Sequence, residues 1–456
     1  MSRTFDVVVV GSGPGGYVVA VRAAQLGRTV AVVERGAIGG RCLNVACIPA
    51  KAVLRAADVA TEARGAAEFG VLVGEVRVDF AAVQARRASV VGTLTKGVSG
   101  LLRKHRVAVV PGDGVLVDGH TVRVGDETLT ATTGIVLATG SVARPLPGIP
   151  FGGRVIGTEE AWVLDALPDR LAVVGAGASG AEIASAYARL GTHVTLLEAA
   201  DRVLPTEDAD VSKVVDAGLR KQGIEVVVGA AVTDVVSGTD AVSYAAGGVD
   251  RTADRLVNAA GRGPDVAALG LDAAGVALDD RGRIAVDGAL RTSVPGVWAI
   301  GDLVTGPALA HKASEEGIVA VEDACGLPTA PLRHADIPRA TFCSPNVASF
   351  GLTEDAARAA GHDIVIGKVP YGAAGATTVH GARQGLVKIV GDREHGEILG
   401  AHVVGAKATD LLQELVNAKA FDAGYQDVAR VVHGHPTFSE AILEAARAAD
   451  GWVVHG

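Results

Sequence analysis

Residues 5–34 read FDVVVVGSGPGGYVVAVRAAQLGRTVAVVE. FDVVVV is an apolar run of strand length without alternation, which predicts a strand covered on both faces. GSGPGG then turns the chain, YVVAVRAAQLG carries a helical pattern, and RTVAVVE predicts a second strand. The same grammar returns at 171–198, LAVVGAGASGAEIASAYARLGTHVTLLE. Gly11, Gly13 and Gly16 fall on Gly175, Gly177 and Gly180, and Glu34 falls on Glu198. In both copies the acid lies 18 residues past the last glycine. The spacing has a mechanism. The first glycine makes the strand-to-helix turn, the second admits a pyrophosphate, and the third lets helix and sheet pack closely, while the helix N-terminus faces the phosphates. The carboxylate accepts hydrogen bonds from a ribose diol. One such turn would suit many α/β proteins. Two, each with strand, helix and acid, predict two dinucleotide sites on two Rossmann-like domains. At the second site Glu198 would repel a 2′-phosphate, favouring NAD over NADP, with Arg202 the one cation close by in sequence.

Composition narrows the class. The chain has 456 residues, room for two to four domains. Its 42 Lys+Arg against 51 Asp+Glu give a net charge of −9. A mildly acidic surface argues against nucleic acid or an anionic membrane as main partner. No run of about 18 uncharged apolar residues is free of Gly and Pro, so no transmembrane helix is expected. The N-terminus enters a strand pattern at once, without a leader. Four cysteines do not make a stapled secreted chain of this length. The expected compartment is the cytoplasm, where a surviving disulfide is usually catalytic or redox-sensing. No metal site is expected.

Two of the cysteines, Cys42 and Cys47, share GGRCLNVACIPAK (39–51), and CLNVACIPAKAVLRAADVATEA (42–63) reads as a helix. On an ideal helix, five residues rise about 7.5 Å and turn about 500°, leaving the α-carbons about 8.6 Å apart. A disulfide requires roughly 4.4–6.8 Å. An undistorted helix cannot carry the bridge, and Pro49 is the expected distortion. A bridge held in such geometry would be easily reduced, as a cycling disulfide must be. Two buried, unlinked cysteines are the other reading, and these residues alone leave both open. Cys325 and Cys343 are read as structural.

GGRCLNVACIPAK also resembles the redox-active disulfide motif of the flavin disulfide reductases, the class I pyridine nucleotide–disulfide oxidoreductases. IVLATGS (135–141) and GVWAIGDLVTGPALAHKASEEG (296–317) are similar to that family's flavin segments. HGHPTFSE (433–440) is similar to its segment carrying the catalytic His and Glu. The resemblance spans essentially the whole chain and is greatest to the dihydrolipoamide dehydrogenases. It implies FAD at the first site and NAD at the second. Gly11, Gly13, Gly15, Gly16, Glu34 and Arg35 would hold the ADP half of FAD. Gly40, Arg41, Lys51, Gly114, Thr139, Gly140, Ser141, Asp302 and Ala310 would line the rest, with Lys51 paired to Glu182. Gly175, Gly177, Gly180 and Glu198 would serve the second site, and Glu182 and Gly261 would be further cofactor-binding positions. Cys42 would exchange with substrate and Cys47 would face the flavin. His435 would be the acid–base, oriented by Glu440, with a cis His–Pro bond between them. His433 is read as structural, and His311 as the start of a helix near the flavin. Electrons would pass from dihydrolipoamide through the disulfide and the flavin to NAD.

The implied organisation is an FAD-binding domain (1–147), an NAD-binding domain (148–265), a return segment to the FAD domain (266–332) and a C-terminal α+β dimerisation domain (333–456). In the last, GLVKIV–GDREHG–EILGAHVV (385–404) predicts a hairpin before helices. The partner would be a second copy sharing active sites, with a lipoyl group on another protein, or a small dithiol, as substrate. Three positions depart from the commonest family motif: Arg41 stands for Thr, Ala46 for Gly and Ala50 for Ser. Ala46 favours helix over a flexible turn. Ala50 lacks a hydroxyl near the thiols. Arg41 sets a cation beside Cys42, which acts to lower that thiol's pKa. The alternatives are a reductase of a glutathione- or mycothiol-type disulfide, or a complex subunit with weak turnover. The tail EAARAADGWVVHG lacks the paired cysteines of mercuric reductases.

Overall fold

The computed structural model describes residues 2–456, which form two compact units. The first holds the chain up to Ala52, Gln84–Arg144 and Gly261–His334; the second holds Val53–Val83, Pro145–Ala260 and Ala335–Gly456.

The first unit is built on β1 (Ser2–Val10). It lies parallel between β2 (Val30–Glu34) and the long strand Glu127–Leu137, with Ala108–Pro111 outside β2. Val297–Ala299 pairs in parallel with the end of the long strand, and two antiparallel strands complete the seven-stranded sheet. FDVVVV does not alternate because both faces are covered: Val7, Val8 and Val9 are fully buried, each worth roughly 1.5 kcal/mol or more. Helix α1 (Pro14–Gln25) buries Val19, Ala20 and Ala23. It meets the helix Ala310–Ala324 so closely that a Cβ on Gly15 would stand 2.9 Å from the Ala313 carbonyl oxygen.

The segment after β2 corrects one expectation. Residues 42–63 are not one helix. α2 (Gly40–Asn44) stops at Val45 (φ −136°, ψ −1°), and α3 (Cys47–Gly65) starts afresh. The Ala46 carbonyl accepts the Ala50 N–H at 2.9 Å. Pro49 is therefore in the first turn of α3, where its missing N–H is an orphan in any case. The break lies upstream of the proline, and it forms although Ala replaces Gly at position 46.

The second unit repeats the parallel sheet, in the order 225–227, 193–197, 170–174, 255–258, 155–157, with the helix Ala178–Leu190 after its central strand. A three-stranded antiparallel sheet follows. The C-terminal part is a five-stranded antiparallel sheet in which Leu386–Asp392 and Ile398–Val404 form the predicted hairpin. Helices Ala408–Ala420 and Glu440–Ala449 pack with it. Lys388, 2% exposed, joins this sheet to the parallel layer. Its Nζ lies 2.9 Å from Asp208, 2.8 Å from Asp210 and 2.8 Å from Glu354. Burial opposes its charge, but the three carboxylates outweigh burial and hold the ammonium well above the usual lysine range. Losing the lysine would strand the buried Asp208 carboxylate, at a cost of about 3 kcal/mol. Among the described residues no helix is long and apolar enough to cross a membrane.

Candidate active site

The two glycine loops have the same geometry. Gly11 (φ +103°) and Gly175 (φ +98°) turn the chain through the left-handed region. A Cβ on Gly16 would stand 1.9 Å from the Gly11 oxygen, and one on Gly180 would stand 1.8 Å from the Gly175 oxygen. At Gly13 and Gly177, by contrast, a Cβ would meet no protein atom within 4 Å. Both helices begin without a side-chain cap, so their first-turn N–H groups remain for a pyrophosphate. A dinucleotide fits each loop. Each acid clamps its loop: Glu34 Oε2 accepts the Ser12 N–H at 2.9 Å, and Glu198 Oε2 accepts the Ala176 N–H at 2.7 Å. Glu34 also accepts the Ser12 hydroxyl and the Gly36 N–H, whereas Glu198 adds only the Ala200 N–H. A carboxylate has about four acceptor sites. Glu198 thus retains two for a ribose diol, and Glu34 about one.

Ser12, which sequence reasoning missed, carries the first loop to the thiols. Its hydroxyl donates to Glu34 and accepts the Gly39 N–H at 3.1 Å. Gly39 (φ +94°) and Gly40 (φ +60°) then start α2. A Cβ on Gly40 would stand 2.6 Å from the Gly13 α-carbon. Cys42 is thereby brought beside the dinucleotide loop. The helix break brings Cys42 and Cys47 together as thiols joined by a side-chain hydrogen bond. That hydrogen bond, burial and the charge of Cys47 push the Cys42 thiol well up, against Lys51 and Arg41, which act downward. The cation at position 41 thus has the expected sign of effect and is outweighed. Ala46 and Ala50 are buried beside the pair. Cys325 and Cys343 lie elsewhere, the first ending the helix Ala310–Ala324 and the second fully buried.

A second group of the named residues meets across the first unit. Ser141 donates to Asp302, and Arg262 donates to the Ser141 carbonyl at 2.6 Å. Thr139 donates to the Asp265 carbonyl at 2.8 Å, and the Asp265 N–H reaches the Gly140 carbonyl at 2.9 Å. Arg35 pairs with the Asp265 carboxylate. Gly114 packs against the end of β1, where a Cβ would stand 2.8 Å from Val10. Ala310 and His311 open their helix as expected. Behind Asp302, Gly301 is held from both sides: its N–H donates to Glu316 at 2.8 Å and its carbonyl accepts from Lys312 at 2.9 Å. Both side chains are buried and 3.0 Å apart. Burial pushes the Glu316 carboxyl up, with Lys312 opposing. Arg262, Asp265, Lys312 and Glu316 had no role in the sequence reading. The only signals for the first two were their places in AAGRGPD, taken as a domain boundary.

The second unit holds Gly175, Gly177, Gly180, Glu182 and Glu198, whereas Gly261 falls in the first. Glu182 is buried and accepts the Phe342 N–H at 2.9 Å. His435 and Glu440 are joined: Nδ1 lies 2.8 Å from Glu440 Oε1, and the His435–Pro436 peptide is cis. Burial acts to raise the Glu440 carboxyl, but the Thr437 N–H at 2.8 Å and the His435 bond outweigh it and leave it below its usual value. The His435 side chain is 77% exposed. With the proton on Nδ1 facing the carboxylate, Nε2 presents a lone pair to solvent.

Known proteins share this organisation. Residues 5–317 match the family described as pyridine nucleotide-disulphide oxidoreductase, and residues 337–446 match that family's dimerisation domain. The dihydrolipoyl dehydrogenase of Geobacillus stearothermophilus is 42% identical over 99% of this chain and 97% of its own length. That of Corynebacterium glutamicum is 41% identical over 100% of both. Among solved structures, LpdA from Mycobacterium tuberculosis superposes with a TM-score of 0.90 at 28% identity, over 97% of this chain and 98% of that one. The HOCl-induced flavoprotein disulfide reductase RclA from Escherichia coli superposes with a TM-score of 0.88 at 26% identity, over 97% and 99%. Twin dinucleotide loops, a thiol pair beside the first and a matched dimerisation domain agree on one conclusion: the chain belongs to the pyridine nucleotide-disulphide oxidoreductase family.

Proposed function

We propose that the chain is a homodimeric, FAD-dependent dithiol–disulfide oxidoreductase that oxidises dihydrolipoamide with NAD+. The observation that carries this reading is the Cys42–Cys47 pair, in contact across a helix break and pinned to the first dinucleotide loop. Gly11, Gly13, Gly15, Gly16, Glu34 and Arg35, with Gly114, Thr139, Ser141 and Asp302, hold FAD. Gly175, Gly177, Gly180 and Glu198 hold NAD. When bound, FAD relays the electron pair between the dithiol couple and the nicotinamide.

The residues of the chain perform the sulfur chemistry. In the oxidised state Cys42 and Cys47 are bridged. One sulfur of dihydrolipoamide attacks Cys42 Sγ and expels the Cys47 thiolate. The second substrate sulfur then displaces Cys42, so lipoamide leaves with its new S–S bond and both electrons stay on the cysteines. His435 Nε2 takes the proton of the attacking thiol, while Glu440 holds the ring in that tautomer and stabilises its charge. Lys51 and Arg41 favour the thiolates. The exposure of His435, on the segment matched to a dimerisation domain, supports delivery of each copy's base to the disulfide of the other. A separated monomer is then inactive. The four segments 1–147, 148–265, 266–332 and 333–456 serve as the FAD, NAD, return and dimerisation parts. The lipoyl group is carried by another protein or is a small dithiol, and the reaction takes place in the cytoplasm.

The test is a steady-state comparison of dithiols with NAD+. Dihydrolipoamide should exceed glutathione- and mycothiol-type thiols in kcat/KM by about tenfold or more. The reverse preference overturns the substrate assignment.

A further inference from the structure

The segment between Ala429 and Glu440 carries a second histidine that this chemistry does not use. The His433 side chain is 5% exposed and two residues before His435. Its Nε2 lies 2.6 Å from Glu414 Oε1, on the helix Ala408–Ala420, and its Nδ1 lies 2.9 Å from the Val431 carbonyl oxygen. Both partners only accept: one is a carbonyl, and the other a carboxylate about one-third exposed to water. A neutral imidazole has one N–H to give, and an imidazolium has two. Leaving either buried ring nitrogen facing an acceptor without a proton would set lone pair against lone pair.

We propose that His433 is a standing imidazolium, held between Glu414 and the Val431 carbonyl, that positions the His435–Glu440 pair. This rests on the roles proposed above for those two residues. The segment is fastened at two points. His433 ties it to the helix Ala408–Ala420, and His435 and the Thr437 N–H tie it to Glu440 at the start of the helix Glu440–Ala449. Between them Thr437 donates to the Gly434 carbonyl at 2.7 Å. The charged groups facing His433 are Glu414 from one helix and Glu440 and Arg447 from the other. The Glu414 bond is the largest influence and carries His433 above its ordinary range, with burial and Arg447 opposing. The positive charge of His433 in turn helps keep Glu440 ionised. Because the folded pKa is raised, the contact is fully present below the unfolded value and is lost as pH rises through the folded one. The tether on His435 therefore loosens on the alkaline side.

The test uses the FAD-loaded dimer with 15N-labelled histidine, the His433 signals being assigned by their loss in His433→Gln. At neutral pH both ring nitrogens of His433 should carry protons. In Glu414→Gln the ring should titrate about one pH unit lower, and the alkaline limb of kcat should move down with it by about the same amount. A neutral His433 ring at neutral pH overturns the proposal whatever the substrate. An alkaline limb unmoved in Glu414→Gln, with the ring shifted, overturns the positioning role. The limb is read with whichever dithiol the steady-state comparison prefers, so a failed substrate assignment is seen there and not here.

Discussion

The two dinucleotide loops share a scaffold and differ in what is hung from it. In both, an acid at the end of the second strand holds the N–H after the first glycine, and the segment beyond the acid bonds back to the loop. In the first copy the Gly39 N–H reaches the Ser12 hydroxyl; in the second the Leu204 N–H reaches the Ala176 carbonyl at 2.8 Å. After the first return come α2 and the thiols. After the second come Glu207, Asp208 and the carboxylates around Lys388. The two loops thus share one geometry, and the return segments differ: the first leads to a thiol pair and the second to a buried ion-pair cluster. Glu198 keeps more acceptor capacity than Glu34, three of whose acceptor sites are taken by Ser12 and Gly36.

Two changes separate the copies experimentally. The largest effect should come from adding one methyl to the third glycine. In Gly16→Ala the loop must move away from the Gly11 carbonyl, so the purified protein should lose bound flavin. In Gly180→Ala it should stay yellow but lose about a hundredfold in NAD-linked kcat/KM, as a displacement of roughly an ångström costs. Loss of flavin in Gly180→Ala, read from the ratio of flavin to protein absorbance, would break the division of labour. The smaller effect comes from Ser12→Ala, which makes the first loop resemble the second at that position. It removes the hydroxyl's bonds to Glu34 and Gly39, at about 1 kcal/mol, and leaves the backbone bond to Glu34. It should lower thermal stability slightly and slow thiol-linked turnover more than direct NADH–ferricyanide turnover. An equal loss in both would separate Ser12 from the thiols.

Much of this arrangement could be read from residue order. The repeat at Gly11 and Gly175 fixes strands, helices and acids because each element is short and locally encoded. The hairpin at 385–404 follows from alternating apolar runs around a turn. The break between α2 and α3 was half legible: Pro49 bars a helix from running through Val45, four residues upstream, but nothing local says that the chain restarts at Cys47 rather than kinks. Lys388 and Asp208 are far apart in the chain, as are His433 and Glu414, so no local pattern announces either pair. Residue order alone leaves His433 as a structural residue. Lys312 and Glu316 sit in a helical pattern that looks like an ordinary charged face, although both are buried.

The central claim is that electrons pass through the Cys42–Cys47 couple beside the first loop. The most direct measurement is the absorbance spectrum of the flavin-loaded protein during anaerobic reduction with NADH or dihydrolipoamide. The wild type should develop a long-wavelength thiolate–flavin charge-transfer band. Cys42→Ser should show it without reductant, and Cys47→Ser should never show it. A flavin-loaded wild type without the band, or a Cys47→Ser protein that retains it, would contradict the account.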